Sequence, residues 1–239
     1  MKEVSPEPEV STRDRLVQSA ERLFARNGFD GVSVRDIAND AKANSALVGY
    51  YFGGKEGLLA EVYTRHCAPL KQERARLLAA YSGQGRTPTL EEVLEAFIRP
   101  SLEATRDEHG GTSFSRLRAI LSGENSSLLE QLVAQNFDDS SKVFVKALCK
   151  CLPVLSREDV LWRFHFLLGT IYYTAAGPHR IKMLSKGHCD PGDPVATTRE
   201  LIPFIAAGFR ALPARLDGGR AKRRKATRPK IGNGSKTSA

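Results

Sequence analysis

Small, polar and aromatic side chains are concentrated between residues 44 and 55. Asn44, Ser45 and the residues that follow are small enough to let a helix backbone approach the edges of DNA bases. Tyr50 can pack its ring against sugar and donate its hydroxyl to a phosphate, and Lys55 adds positive charge at the backbone. The pattern indicates contacts with double-stranded DNA. The candidate DNA-binding residues are Ser33, Arg35, Asn44, Ser45, Ala46, Leu47, Gly49, Tyr50, Tyr51 and Lys55.

Two short helices are predicted to position these side chains. Ser33 offers an acceptor oxygen to the open N–H groups of the first helix, and Asp36 adds favourable charge in its first turn. Asn44 is a suitable N-cap for a second helix from Ser45 to about Tyr50. Such a pair joined by a short turn is a helix-turn-helix, whose second helix can enter the major groove. The apolar residues on one face of the first helix are Val34, Ile37, Ala38 and Ala41.

Spacing alone also allows a simpler interpretation of the same segment. The small polar residues would then form a surface loop, and the aromatic residues after them would belong to a hydrophobic core. Both interpretations remain open on periodicity and residue type.

Residues 12–59 resemble the N-terminal domain of the TetR family of bacterial transcriptional regulators. Two departures from the family pattern are Lys42, where a glycine is usual in the turn, and Gly49, which lowers helix propensity by about 1 kcal/mol relative to alanine. The matching residues are Ala20, Leu23, Phe24, Gly28 and Phe29, the run Val32-Ser33-Val34-Arg35-Asp36-Ile37-Ala38, and the Tyr-Tyr-Phe-x-x-Lys-Glu-x-Leu-Leu run that ends at Leu59.

The resemblance implies an all-α fold with a three-helix DNA-binding domain and a C-terminal helical domain for effector binding and dimerisation. We expect a lead-in at residues 1–11, a helix-turn-helix domain at 12–58, a helical domain at 59–212 and a basic tail at 213–239. The implied function is a ligand-responsive regulator, by family default a repressor, that binds a palindromic operator as a homodimer and is released by an effector.

Charge is unevenly distributed along the chain of 239 residues. The formal net charge is +9, and the tail holds nine Lys or Arg residues and one acid, Asp217. This tail is expected to be disordered because it has almost no apolar residue. It is either an arm that contacts DNA without sequence preference or a solubilising tail. No apolar run approaches the ~20 residues of a membrane span and no signal peptide is evident, so we expect a cytoplasmic protein without membrane contact.

The remainder of the chain is predicted to be helical. Residues 56–81 form one long segment that Pro69 should kink or split, because proline cannot donate a backbone hydrogen bond. Thr89 with Glu92, and Ser156 with Asp159, are suited to begin further helices. Shorter segments near residues 114–121 and 127–152 are also helical by periodicity, and residues 178–193 read as a polar loop.

The last two helices, at about 157–177 and 195–212, carry the prediction of assembly. The first of them is apolar nearly all round, with Trp162, Phe166 and Tyr173 opposite its main apolar face. Such a helix is buried on more than one side. In the TetR family these helices typically form a four-helix bundle across a two-fold axis, so a homodimer is expected. The alternative is an ordinary monomeric core.

An effector pocket is expected between the middle helices by resemblance. The aromatic and lightly charged character of that region suggests a small amphiphilic molecule. His165 stands out as a polar group in an apolar helix, although a hydrogen-bonded core histidine is the simpler interpretation. The candidate lining residues are Phe97, Phe114, Phe137, Trp162, His165, Phe166 and Tyr173.

No pattern typical of an enzyme, a cofactor site or a metal site is found. Asp159 and His165 lie six residues apart on one helix, about 9 Å of rise, which is too far for a catalytic pair. The cysteines lack the paired spacing of a structural zinc site and are interpreted as reduced thiols, although a metal- or oxidant-sensing role for Cys149, Cys151 and Cys189 is the alternative. The other functional alternative is an effector-independent structural DNA-binding dimer whose affinity comes from its tail.

Overall fold

The computed structural model describes residues 10–106, 111–121, 127–177 and 179–213. All regular structure in these ranges is helical, as the sequence predicted. Two short 3-10 segments follow α4 and α5, at Gly83–Gly85 and Ala104–Arg106. The α-helices are α1 (Thr12–Asn27), α2 (Val34–Asp40), α3 (Ala46–Phe52), α4 (Lys55–Tyr81), α5 (Leu90–Glu103), α6 (Gly111–Leu121), α7 (Ser127–Cys151), α8 (Arg157–Ala176), α9 (His179–Leu184) and α10 (Pro194–Arg210).

The capping residues predicted for three helices form complete capping boxes. At α2, the Ser33 hydroxyl accepts from the Asp36 N–H, while the Ser33 N–H donates to the Asp36 carboxylate at 2.9 Å. The pairs Thr89 with Glu92 at α5 and Ser156 with Asp159 at α8 repeat this arrangement. Each box satisfies two donors that the first helical turn would otherwise leave open.

The second helix of the helix-turn-helix, α3, begins one residue later than predicted. Ser45 occupies the N-cap position in a helical conformation and makes no side-chain capping bond. The Asn44 side chain instead accepts from the Ala46 N–H at 2.9 Å, so Asn44 performs the capping function from one position earlier. At its other end α3 continues to Phe52 and stops at Gly53 and Gly54, whose φ angles of 73° and 129° favour glycine.

Helix α4 is continuous through Pro69, so the prediction that proline splits this segment was wrong. The Pro69 side chain is exposed to solvent. A ring on the solvent side costs a helix one hydrogen bond without displacing core side chains. The helix therefore runs 27 residues without a break.

The predicted loop at 178–193 contains a six-residue helix, α9, which the polar composition of the segment concealed. The following helix, α10, begins at Pro194 instead of residue 195. The Asp193 side chain caps it by accepting from the N–H groups of Val195 and Ala196.

Two hydrophobic clusters form the interior, and α4 contributes to both. The first contains α1 to α3, the first half of α4, α6 and the first half of α7. The second contains Leu77 of α4 together with α5, the second half of α7, α8 and α10. The first cluster crosses the boundary predicted between residues 58 and 59, and the division into domains stays a prediction. The lead-in to residue 9 and the tail after residue 213 lie outside the described residues.

No helix in the described part of the chain is long and apolar enough to cross a membrane.

Candidate functional site

Helix α3 presents a face of small and aromatic side chains to solvent. Its inner side is fixed by Val48, which is fully buried in the first cluster. On the outer side Tyr50 is 80% exposed, and a Cβ added at Gly49 would meet no atom within 4 Å. Ser45 and Ala46 are exposed at the leading end. A helix anchored on one side and low in bulk on the other has the form needed to approach base edges.

Aromatic and cationic side chains flank this face where α3 leads into α4. The Tyr50 and Tyr51 ring centroids lie 5.1 Å apart in an edge-on arrangement. The Lys55 ammonium lies 4.2 Å from the centroid of the Phe29 ring, which follows the end of α1 by two residues. Lys55 is also the first residue of α4, where the open N–H groups favour an anion such as phosphate.

Two of the predicted DNA-binding residues have structural roles. The Ser33 hydroxyl donates to Asp36 at 2.6 Å in the capping box, and these hydrogen bonds hold the pKa of the Asp36 carboxyl below its ordinary value. Leu47 is half-buried and packs against the first cluster. Arg35 and Asn44, by contrast, are exposed beside the α3 face.

The turn between α2 and α3 contains the residue that replaces the usual glycine. Lys42 has a φ angle of 51°, in the left-handed region that non-glycine residues rarely occupy. The turn therefore keeps the backbone geometry that a glycine would adopt. The Lys42 side chain is exposed to solvent.

The four candidate effector residues on α8 are exposed and do not line the cavity between the middle helices, so their part in effector binding stays a prediction. Trp162, Phe166 and Tyr173 are 58%, 60% and 68% exposed, and His165 lies exposed beside Trp162 and Phe166. The opposite side of α8 carries the buried residues, and a helical period of 3.6 turns the other aromatics outward. The buried residues are Val160, Phe164, Leu167 and Ile171.

The remaining three candidates are buried beside two arginines. Phe97 packs under Arg74, whose Cζ lies 3.7 Å from the ring centroid. Phe137 and Phe114 flank Arg118, with centroids 4.3 and 5.8 Å from its Cζ. These aromatic rings support the arginines and do not form one shared pocket.

A cavity of about 490 Å³ lies where α4, α6, α7 and α8 meet. Its polar residues are Arg118 and Tyr172 toward the interior and Glu130 and Asp138 on the exposed side of α7. The remaining lining is mainly apolar, with Tyr63, Leu121, Leu129, Val133, Ala134 and Leu168.

The sequence reasoning missed Arg118 and Arg74, although a signal was available. Arg118 follows Phe114 by four residues, and Arg74 follows Leu70 by four, so each charge lies on a helix face that is otherwise apolar.

A second pocket, of about 540 Å³, lies between the end of α8, the loop after α9 and α10. It does not border α4, the helix that reaches the α3 face.

The described residues contain no cluster of three or more His, Cys, Asp or Glu side chains that would hold a metal ion. Cys67 is buried in the first cluster, and burial raises the pKa of its thiol to about 12. Cys149 and Cys151 are partly buried, and Cys189 is exposed.

Family models place the chain in a class of helix-turn-helix proteins. Residues 16–62 match the model described as bacterial regulatory proteins, tetR family. Residues 95–208 match the model for the tetracyclin repressor-like C-terminal domain. The chain therefore belongs to the TetR family of regulators, which are DNA-binding proteins and not enzymes.

Two curated relatives align with less than a third of the chain. The probable HTH-type transcriptional regulator YttP of Bacillus subtilis is 52% identical over 50 residues, which are 21% of this chain and 24% of that protein. The HTH-type transcriptional repressor NicS of Pseudomonas putida is 36% identical over 66 residues, which are 28% and 31% of the two chains. The chain thus spans about a quarter to a third of these relatives.

Similarity over most of the chain is found at the level of fold. The ketosteroid transcriptional regulator KstR2 of Mycobacterium tuberculosis superposes with a TM-score of 0.59 at 19% identity. The match covers 86% of this chain and 97% of KstR2. At this identity the likeness is evidence for a shared architecture alone.

Proposed function

We propose that the protein is a ligand-responsive transcriptional repressor that binds a palindromic operator as a homodimer. The observation that carries the proposal is the exposed face of α3, with small residues at its leading end and Tyr50 at its trailing end, anchored by Val48. Repression is supported by the relative NicS, which is itself named a repressor.

In this proposal the α3 helix enters the major groove. Ser45 and Ala46 approach the base edges, while Tyr50, Tyr51 and Lys55 contact the sugar-phosphate backbone. Base contacts supply sequence preference, and phosphate contacts supply affinity and register.

Dimerisation is proposed through α8 and α10. The outer face of α8 leaves large aromatic side chains in solvent, and Phe204 of α10 is also 70% exposed. Contiguous exposed aromatics mark an interaction surface. A two-fold arrangement would present two α3 helices to half-sites about 34–36 Å apart.

The cavity between α4, α6, α7 and α8 is the proposed effector site. It borders α4, and the first residue of α4 is Lys55 at the DNA-contacting end. A ligand that changes the position of α4 would change the α3 spacing and release DNA. By linkage, operator DNA must weaken effector binding by the same factor.

The test is binding of the full-length protein to its own upstream intergenic DNA and to scrambled DNA of equal length. Fluorescence anisotropy at low and at physiological salt separates sequence preference from charge attraction. Preference that survives physiological salt supports the proposal. Salt-sensitive binding without preference would favour the effector-independent DNA-binding dimer.

Variants of the α3 face make the test specific. Lys55→Ala and Tyr50→Phe should weaken binding to all sequences by similar factors, because phosphate contacts carry no sequence information. Ala46→Leu should abolish the preference for the operator while nonspecific binding remains. Lys146→Ala, which removes one exposed charge from α7, is the matched control and should change neither. An operator preference retained in Ala46→Leu would contradict the assignment of α3.

A further inference from the structure

Arg74 is a buried arginine whose described partners are all neutral. It is 3% exposed and lies on α4 between Leu70 and Leu77, which are both buried. Its Nε donates to the Phe97 carbonyl at 3.0 Å, and its Nη2 donates to the Ser101 hydroxyl at 2.7 Å. These hydrogen bonds satisfy donors, but they do not neutralise the charge.

Arg118 on α6 brings a second positive charge to the same interior. Its Nη2 donates to the Tyr172 hydroxyl at 2.6 Å, and its Cζ lies 4.6 Å from the centroid of that ring. Among residues 10–106, 111–121, 127–177 and 179–213, no carboxylate lies within 4.0 Å of either guanidinium.

Without a carboxylate partner among the described residues, the two guanidinium groups create a positive potential in the region between α4 and α6. Burial and the nearby charge of Arg118 lower the pKa of Arg74 to about 9, and the group still remains protonated at neutral pH. A buried charge without a counter-ion is costly, and an anion that enters the site recovers part of that cost.

Arg118 lines the cavity between α4, α6, α7 and α8, so the positive potential extends into a space that can hold a small molecule. Its volume of about 490 Å³ falls within the usual range of ligand sites, ~300–1,000 Å³. Arg118 and Tyr172 line it together, and since the Tyr172 oxygen accepts from Arg118, its own O–H remains a donor. Guanidinium and hydroxyl donors side by side suit a carboxylate or phosphate.

The acidic residues of the lining do not reverse this preference. Glu130 and Asp138 are exposed on α7, where water and salt screen their charges. The apolar residues Leu121, Leu129 and Leu168 border the same space and offer a surface for a hydrocarbon chain.

We propose that the cavity binds an amphiphile with an anionic head group, which Arg118 and Tyr172 hold while the apolar part lies against the leucines. This inference rests on the proposed function only in naming the cavity as the effector site. The binding itself involves no DNA.

The test is isothermal titration calorimetry of the full-length protein with straight-chain probes that differ in head group. Carboxylates of six to fourteen carbons are compared with the alcohols and the trimethylammonium compounds of equal length, below their micelle concentrations. Alkyl phosphates form a separate arm that distinguishes the two sources of an anionic head. We expect one anionic series to bind at least tenfold more tightly than the alcohols, with one site per protomer.

Variants identify the cavity as the site, because the exposed face of α8 can adsorb any amphiphile. Arg118→Met should weaken anion binding by about tenfold or more, the loss expected for a charge-assisted hydrogen bond, and should leave alcohol binding unchanged. Tyr172→Phe should cause a smaller loss. Arg163→Met, which removes an arginine from α8 outside the cavity, is the control, and circular dichroism checks that each variant is folded.

The proposal is overturned if alcohols or cations bind as tightly as anions at every chain length, or if Arg118→Met leaves anion binding unchanged. Anion binding without operator binding would retain this inference and remove the repressor function. Operator binding with no anion preference would do the reverse.

Discussion

Lys42 holds a backbone conformation that suits glycine better than lysine. A left-handed φ costs an L-residue roughly 1–2 kcal/mol, and glycine avoids that cost but loses about 0.5–1 kcal/mol to its flexibility in the unfolded chain. Lys42→Gly should therefore raise the free energy of unfolding by about 0.5–1 kcal/mol. Urea unfolding followed by circular dichroism measures the change.

The control for this substitution is Lys42→Ala, which removes the same charge and leaves the strained φ angle in place. It should give no gain in stability. If alanine and glycine raised the stability equally, relief of charge repulsion would be the cause and the conformational explanation would fail.

At the scale of single residues, sequence reasoning predicted capping and failed on side-chain direction. Ser33, Thr89 and Ser156 were identifiable because a cap depends on residues three apart in the chain. The outward direction of Trp162 was not identifiable. In a helix that is apolar on all sides, periodicity does not show which side packs against the rest of the same protomer. Arg118 could have been noticed as a charge on an apolar face.

Helices α1, α4 and α6 meet at the buried pair of Glu21 and His66. His66 of α4 lies 2.8 Å from the Glu21 carboxylate of α1, through Nε2 and Oε2. The ring of His66 stacks on Phe114 of α6 at 4.4 Å with the planes 12° apart. The other carboxylate oxygen of Glu21 is buried and has no hydrogen-bond partner among the described residues.

This junction gives a prediction at the scale of elements. His66→Leu should lower the free energy of unfolding by about 2–3 kcal/mol, because it leaves Glu21 buried without any partner. The double variant His66→Leu/Glu21→Leu should lose less than the single one, since replacing both members of a buried pair by apolar groups is often nearly neutral. Urea unfolding of the single and double variants completes the cycle with Glu21→Leu. Additive losses would show that the two side chains do not depend on each other.

The helices themselves were mostly predictable, and the exceptions have physical causes. Periodicity located α5 to α8 because each has a clear apolar face or cap. It missed α9, which has six residues and is too short to show a repeated helical period. It also treated Pro69 as a break, although an exposed proline can stay within a helix that packing stabilises on the other side.

At the scale of the whole molecule, the exposed aromatic face gives a prediction about assembly. Trp162→Glu or Phe166→Glu should convert the proposed dimer into a monomer, because a charge at the centre of an apolar interface loses its hydration without gaining a partner. Light scattering after size-exclusion chromatography measures the mass. The affinity for the operator should fall when the dimer dissociates, since a monomer engages one half-site.

Val143→Glu is the matched control, because Val143 is similarly exposed at 54% but lies on α7. It should leave the mass unchanged. A Trp162→Glu protein that stays dimeric would exclude the α8 face as the centre of the interface.

Pro69 lies in the middle of helix α4 and is the position at which the helix would bend. At 1.5 Å of rise per residue, the distance along the helix from Pro69 to Lys55 is about 21 Å, and the distance from Pro69 to Tyr63, where α4 borders the cavity, is about 9 Å. The ratio of these lengths is about 2.3 to one. If the helix bends where proline removes a hydrogen bond, a shift of about 0.8 Å at Tyr63 becomes a shift of about 1.9 Å at Lys55. A ligand would then need only a sub-ångström adjustment beside Tyr63 to move the start of α4 by more than the length of a carbon–carbon bond.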